Sequence, residues 1–424
     1  MYIAVLLALG IGLIVWGVLE KERLYEFPFL IGVMYVSYLI PYLAGVARVE
    51  SSLPPGAYDR IAIMAILCGA AVYVGYQIPS RPTTFLQWTY DKDRLFRSML
   101  ILTGIGVFAS WMLGEVPASA WKGQATGAPV IVIFFAKVRY YALALSVFVY
   151  LKTRDNRFLL VALVCLYFIY PALIQKFRRV QIAQSFFIVV LAFWFCLDKT
   201  PTRIVAIPAF VVLFLFGTTA IGPLRKASMD RDGLTWQELR SIEWVSEAER
   251  KISRTNRNST KAAAYQMAAI ERFDRYDFGI FHWNRMVHKY VPGSVLGNEF
   301  EESLFIKVND ENTVVQAKDF NRITSSRYGF TKPLGTTTTG LRDAYGSFGY
   351  FGFIKFMLVA AIMKVLYVSA RRGSLTHQLL YALLIAYALH IVSHNTNWFF
   401  ERFPHMAIFL LPALWYARSG TRRP

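Results

Sequence analysis

Acidic side chains are few in this sequence. There are 27 Asp and Glu against 46 Lys and Arg, and charged residues of both signs make up only 17% of the chain. Soluble domains are about a quarter charged, so a fully water-facing surface is excluded. Cysteine is equally sparse. Cys68, Cys165 and Cys196 each lie in an apolar run without metal-ligand spacing, and read as packing residues. No nucleotide-binding glycine loop or P-loop occurs. His282 and His288 are six apart, which keeps them off one helical face, and His394 and His405 lack partners at ligand spacing. Neither a metal nor a cofactor is therefore expected. Glu301 and Glu302 read as solvated, and Asp274 and Asp277 pair with Arg275 as ordinary surface charge. The net charge of +19 comes with no nucleic-acid-binding motif.

What the chain has is apolar length. It is 55% hydrophobic and 16% aromatic, and its apolar runs predict an all-α polytopic membrane protein of about 11 transmembrane helices. Eight spans are expected in residues 1–221: Tyr2–Leu19, Phe27–Val46, Ile61–Ile78, Met99–Leu113, Pro129–Leu151, Phe158–Leu173, Val180–Leu197 and Ile204–Ile221. A large, mainly helical loop follows over residues 222–344. Residues 345–424 hold Tyr345–Val368, His377–Val392, Pro404–Trp415 and a basic tail. The N-terminus lacks a basic lead and a clear cleavage site, and reads as a retained first helix. Connections carrying Lys21, Arg23, Arg94, Arg97, Lys152, Arg154, Arg371 and Arg372 alternate with poorer ones. The positive-inside rule makes the basic side cytoplasmic and the long loop extracytoplasmic. Within the loop, Thr235 and Glu238 form a capping box, Lys261–Arg275 has helical periodicity, and Glu299–Arg327 reads as loop.

Cations on the side opposite the basic connections draw the functional argument. The connection QKFRRVQ places Arg178 and Arg179 there, and Arg139 stands inside the fifth apolar run beside Lys137. Headgroup snorkelling accounts for such residues, and so does an anion held at the membrane surface. Arg272, Arg275, Arg285, Lys332 and Arg342 add to the set. Arginine binds phosphate oxygens through a planar fork and stays charged at any working pH. The polar loop returns to the membrane through Thr336–Thr339, Arg342, Asp343 and Tyr345, then glycines 346, 349 and 352. Asp343 there reads either as a functional carboxylate or as a helix N-terminal charge paired with its neighbour.

The segment GTTTTGLRDAYGSFGYFGFIKF resembles the part of bacterial oligosaccharide repeat-unit (O-antigen, Wzy-type) polymerases that has a Thr/Ser-rich lead, an acid, an aromatic and a Gly-x-x-Gly turn into a span. KFRRVQIAQSFFIVVLAFW resembles the arginine-led span these polymerases share with O-antigen ligases. The resemblance implies a GT-C-like helical body and a metal-independent glycosyltransferase at the outer face of a bacterial inner membrane. Its substrates would be undecaprenyl-diphosphate-linked oligosaccharides, and its partners membrane lipid, a chain-length regulator and a flippase. Asp343 would be the base, and Arg178, Arg179 and Arg139 the diphosphate ligands. Arg342, Arg272, Arg275, Arg285, Tyr345, Lys332 and Thr338 would bind substrate. Thr339-Gly340 stands where the ligases carry His-Asn. A ligase using the same donor, a lipid-linked glycan transporter and a non-catalytic export scaffold are the alternative readings.

Overall fold

The computed structural model describes residues 1–115, 128–171, 173, 179–198, 259–291, 293–306, 317–333 and 336–419. The expected span Ile204–Ile221, the Thr235 capping box and Arg178 lie outside these residues. Among the described residues every regular element is helical, and the one β-bridge joins Tyr90 to Arg418. Seven helices among the described residues are long and apolar enough to cross a membrane.

The first, α1 (Tyr2–Leu19), shows how little of such a helix must be protein-facing. Its buried residues are Leu6, Gly10, Leu13 and Gly17, a seam of helical spacing that admits close backbone approach, while Val5, Leu7, Ile11 and Val15 stay exposed. Phe27–Ala47 comes next, as α2 (Phe27–Met34) and α3 (Ile40–Ala47) joined by a π-helical turn, Tyr35–Leu39. Then follow α4 (Ala57–Gln77) and α5 (Lys92–Glu115). The fifth apolar run breaks at Lys137 into α6 (Ala128–Ala136) and α7 (Arg139–Thr153). Two more bundle helices follow, α8 (Asn156–Tyr170) and α9 (Arg179–Leu197).

Both ends of the bundle are sewn by polar contacts between connections that the charge pattern assigns to one side. At the basic end, Lys92 pairs with Asp155 at 2.7 Å, and Arg371 reaches both Glu22 at 3.0 Å and Asp198 at 2.9 Å. The backbone N–H of Asp91 also donates to the carbonyl of Ala417 at 2.9 Å. At the other end lies the polar loop, with α10 (Ser259–Arg272), α11 (Ile280–Tyr290) and α12 (Ala317–Tyr328). There the Tyr265 hydroxyl donates to the Ser52 carbonyl at 2.6 Å, Arg60 pairs with Glu271, and the Tyr38 and Ser259 hydroxyls meet at 3.2 Å.

Three loop expectations change. Ala317–Tyr328 lies in the stretch read as loop, yet it is helical. Its sequence is too polar to show an apolar period, and Ile323 and Tyr328 still pack on the core. Glu301 is buried rather than solvated, accepting from the backbone N–H of Gly293 at 2.7 Å and meeting His288 Nδ1 at 2.6 Å. Asp277 lies in a turn, where it accepts from the Ser347 hydroxyl at 2.7 Å.

The loop's return to the membrane is also jointed. A short helix, α13 (Gly340–Phe348), ends at Gly349, whose φ of +58° suits glycine. One 3₁₀ turn, Gly349–Phe353, leads to α14 (Ile354–Arg371). A side chain at Gly340 would collide with the Ile391 carbonyl, so α13 sits directly on the turn that follows α15 (Leu375–His390). The chain closes with α16 (Arg402–Tyr416).

Candidate functional site

Thr339 caps α13, its side-chain oxygen accepting from the Arg342 N–H at 3.3 Å. This turns Asp343 inward, where it is 1% exposed. Its Oδ2 accepts from the Thr396 backbone N–H at 2.9 Å and from the Thr396 hydroxyl. Oδ1 has no hydrogen-bond partner among the described residues.

Two cationic or basic groups complete the surroundings. Lys355 Nζ is 3.9 Å from Asp343 Oδ2, and donates to Ser347 Oγ at 2.6 Å and to the Asp343 carbonyl at 3.4 Å. His282 Nε2 lies 3.4 Å from Oδ2, 3.1 Å from Lys355 Nζ and 2.9 Å from Thr396 Oγ1. According to its tautomer, Nε2 accepts from the Lys355 amine or donates to Thr396 Oγ1, whose own proton goes to Asp343. The result is one buried carboxylate tied to α14, the loop helix α11 and the turn after α15.

That same turn, residues 391–396, presents a different chemistry on its other flank. Half-buried Arg179, at the start of α9, is within electrostatic reach of Tyr38, Tyr42, His390 and His394. Among the described residues it forms no ion pair. His394 Nδ1 meets Ser393 Oγ at 2.9 Å, and its Nε2 has no hydrogen-bond partner among the described residues. Burial, then the neighbouring His390 and Arg179, push the His394 imidazole down to about 3. It is neutral in ordinary conditions, with a lone pair available within electrostatic reach of Arg179.

The remaining expected site residues divide. Thr338 accepts from Lys332 Nζ at 3.5 Å, and burial, followed by the charge of Arg342, lowers the Lys332 pKa. Arg342 is buried within reach of the Asp343 and Asp277 charges. Tyr345 is buried against Tyr276 and Tyr350, with ring centroids 6.1 Å and 5.3 Å away. Arg272 and Arg275 are exposed, although Arg275 directly precedes Tyr276. Arg285 joins Glu401 at 2.8 Å instead. Arg139 is committed to the bundle: its Nη1 donates to Ser110 Oγ at 2.7 Å and to the Phe168 carbonyl at 2.9 Å, bridging α5 and α8.

Sequence reasoning passed over Lys355, His282, Thr396 and His394. Lys355 carried a usable signal, because an ionisable group in an apolar span ordinarily faces a partner. The other three become neighbours only through the pairing of α13 with the turn after α15. Among the described residues, no three His, Cys, Asp or Glu side chains are grouped so as to hold a metal ion. No protein-family model, curated protein or solved structure matches this chain.

Proposed function

We propose that this membrane protein is a glycosyltransferase that joins lipid-diphosphate-linked oligosaccharides on the loop side of the bundle, as a repeat-unit polymerase of a bacterial inner membrane does. The observation that carries the reading is that Arg179, which pairs with no carboxylate among the described residues, lies within electrostatic reach of neutral His394 beside the turn that Asp343 holds. In the reaction an acceptor hydroxyl attacks the anomeric carbon of the donor. A new C–O bond forms, and the bond from that carbon to the diphosphate oxygen breaks. The lipid diphosphate departs with the electron pair, and the hydroxyl proton passes to a base.

Arg179 suits the leaving diphosphate through its fork and permanent charge. His394 Nε2 suits the hydroxyl proton. A diphosphate on Arg179 offsets the part of the His394 depression that comes from Arg179, which ranks after burial and His390. Asp343 is the weaker base of the two, because two donors from Thr396 and the nearby Lys355 stabilise its ionised form. Its part is to hold the turn in place.

The test is polymer ladder formation from a purified lipid-linked repeat unit. His394→Gln and Arg179→Lys are expected to lower turnover about a hundredfold, the loss seen when one transition-state contact is removed, with folding intact. Wild-type ladders from both variants would refute the assignment. Arg179 within electrostatic reach of His394 also suits a ligase, which shares the donor. Single additions to a foreign acceptor, with no ladder, identify that reaction.

A further inference from the structure

A second group of cations lies at the same end of the bundle, on α11 and at the start of α16, outside the site described above. Glu401 is its one carboxylate among the described ion pairs. It accepts from Arg285 Nε at 2.8 Å and from Lys289 Nζ, and burial, which would raise its pKa, is outweighed by these two cations. Arg402, the next residue, is left over. It is 7% exposed, its Nε has no hydrogen-bond partner and no carboxylate pairs with it among the described residues. Its guanidinium lies 4.1 Å from the centroid of the Tyr387 ring, and the Tyr387 hydroxyl donates to Gln184 on α9 at 3.1 Å. Arg402 is also within electrostatic reach of Lys289.

Three cations therefore stand against one carboxylate, which pairs with two of them and leaves an excess of positive charge. A buried charge without a partner is costly, and a ring face supplies no hydrogen-bond acceptor for the guanidinium protons. The arrangement is incomplete as a structural ion network and complete as an anion receptor. Arg402 provides a planar fork at the back, packed against Tyr387. Arg285 and Lys289 form the more exposed rim, with side chains 43% and 19% exposed. Glu401 keeps the rim cations oriented.

We propose that Arg402, Lys289 and Arg285 form a phosphate-binding site at the loop end of the bundle, in addition to Arg179. Its ligand is a phosphate or diphosphate group, which binds a bidentate guanidinium and a point-charge amine together. A phospholipid headgroup and the diphosphate of a lipid-linked sugar present the same chemistry. The proposal does not depend on the polymerase reading.

The full-length protein, in maltoside micelles that carry no phosphate, is titrated with inorganic pyrophosphate by calorimetry. Retention of phosphatidylglycerol is measured separately by native mass spectrometry. Arg402→Gln is expected to weaken at least one of these by about thirtyfold, and Arg402→Lys by less, because it keeps the charge but loses the fork. Arg285→Gln, at the exposed rim, is expected to weaken the same ligand several-fold and keeps the test open if Arg402→Gln does not fold. Loss confined to phosphatidylglycerol makes the ligand a bilayer headgroup, whereas loss of pyrophosphate binding makes it a diphosphate. Wild-type protein that binds neither overturns the proposal. So does binding of both ligands by Arg402→Lys and Arg285→Gln at wild-type strength.

Discussion

Replacing Asp343 by Asn tests the buried carboxylate with almost no change of shape. The Lys355 amine stands 3.9 Å from Asp343 Oδ2. At an effective dielectric constant of about 20, two unit charges at that distance attract by about 4 kcal/mol. Asp343→Asn removes the attraction and leaves the buried ammonium with Asp277 as a more distant carboxylate, so a loss of about 3 kcal/mol is expected. Lys355→Met strands the carboxylate in the same way, at similar cost. The double variant Asp343→Asn/Lys355→Met strands neither, and is expected to lie only about 2 kcal/mol below wild type. The cycle then gives a coupling of about 4 kcal/mol. Reversible unfolding in mixed micelles measures all four proteins. Additivity to within about 0.5 kcal/mol would show that the two charges do not hold each other, and would remove the pair from the account of how α13 is fixed. Activity separates the chemical roles. A base at position 343 leaves both Asn-bearing proteins inactive, whereas a positioning carboxylate lets the double variant recover turnover as it recovers stability.

Other measurements check the rest. Arg139→Lys breaks the bridge from α7 to Ser110 and Phe168, and is expected to cost about 1–3 kcal/mol of stability while KM for the lipid substrate stays within twofold. Unfolded His394 titrates near its ordinary value and the folded imidazole near 3, so the unfolded chain binds the extra proton between those limits. Stability is then full above about pH 6.5 and falls with pH by up to about 1.4 kcal/mol per unit down to pH 3. His394→Gln is expected to flatten that part of a melting-temperature profile. Cysteine introduced at Asn256 is expected to react with an impermeant reagent on intact cells, and one at Arg154 only after lysis. Reversed labelling would move the proposed reaction to the other side of the membrane.

The parts of the fold legible in the sequence are those set by hydrophobic length. The first span is predicted and found as Tyr2–Leu19, and α9 differs from its expectation by one residue at its start. Composition fixes these because a span needs little besides apolar side chains. Helix α12 was not legible: Ala317–Tyr328 is polar along its length, and its helicity depends on packing beneath it. The site divides in the same way. Asp343 stood out beside its threonine run, but its partners come from positions 282, 355 and 396, which no local spacing relates. His394 lacked ligand-like neighbours in sequence, and its importance comes from Arg179 across the bundle. Arg402 gave no signal in the sequence, because its isolation depends on Glu401 turning to α11.

The π-helical turn Tyr35–Leu39 acts as a phase shifter. A residue added within an α-helix rotates everything beyond it by about 100°, so the wide turn sets the azimuth of the following half-helix independently of its depth in the bilayer. Tyr38 reaches the loop at Ser259 and lies with its ring tilted against Tyr42, centroids 4.7 Å apart, while Tyr35 ties the inner half to the Ala65 carbonyl at 3.0 Å. Deleting one residue between Tyr35 and Leu39 would leave a straight span of nearly the same hydropathy, with both outer tyrosines swung away from Arg179. Membrane insertion and the aiming of these side chains are thus separate properties of one segment, and a change invisible to any hydropathy profile can abolish the second while sparing the first.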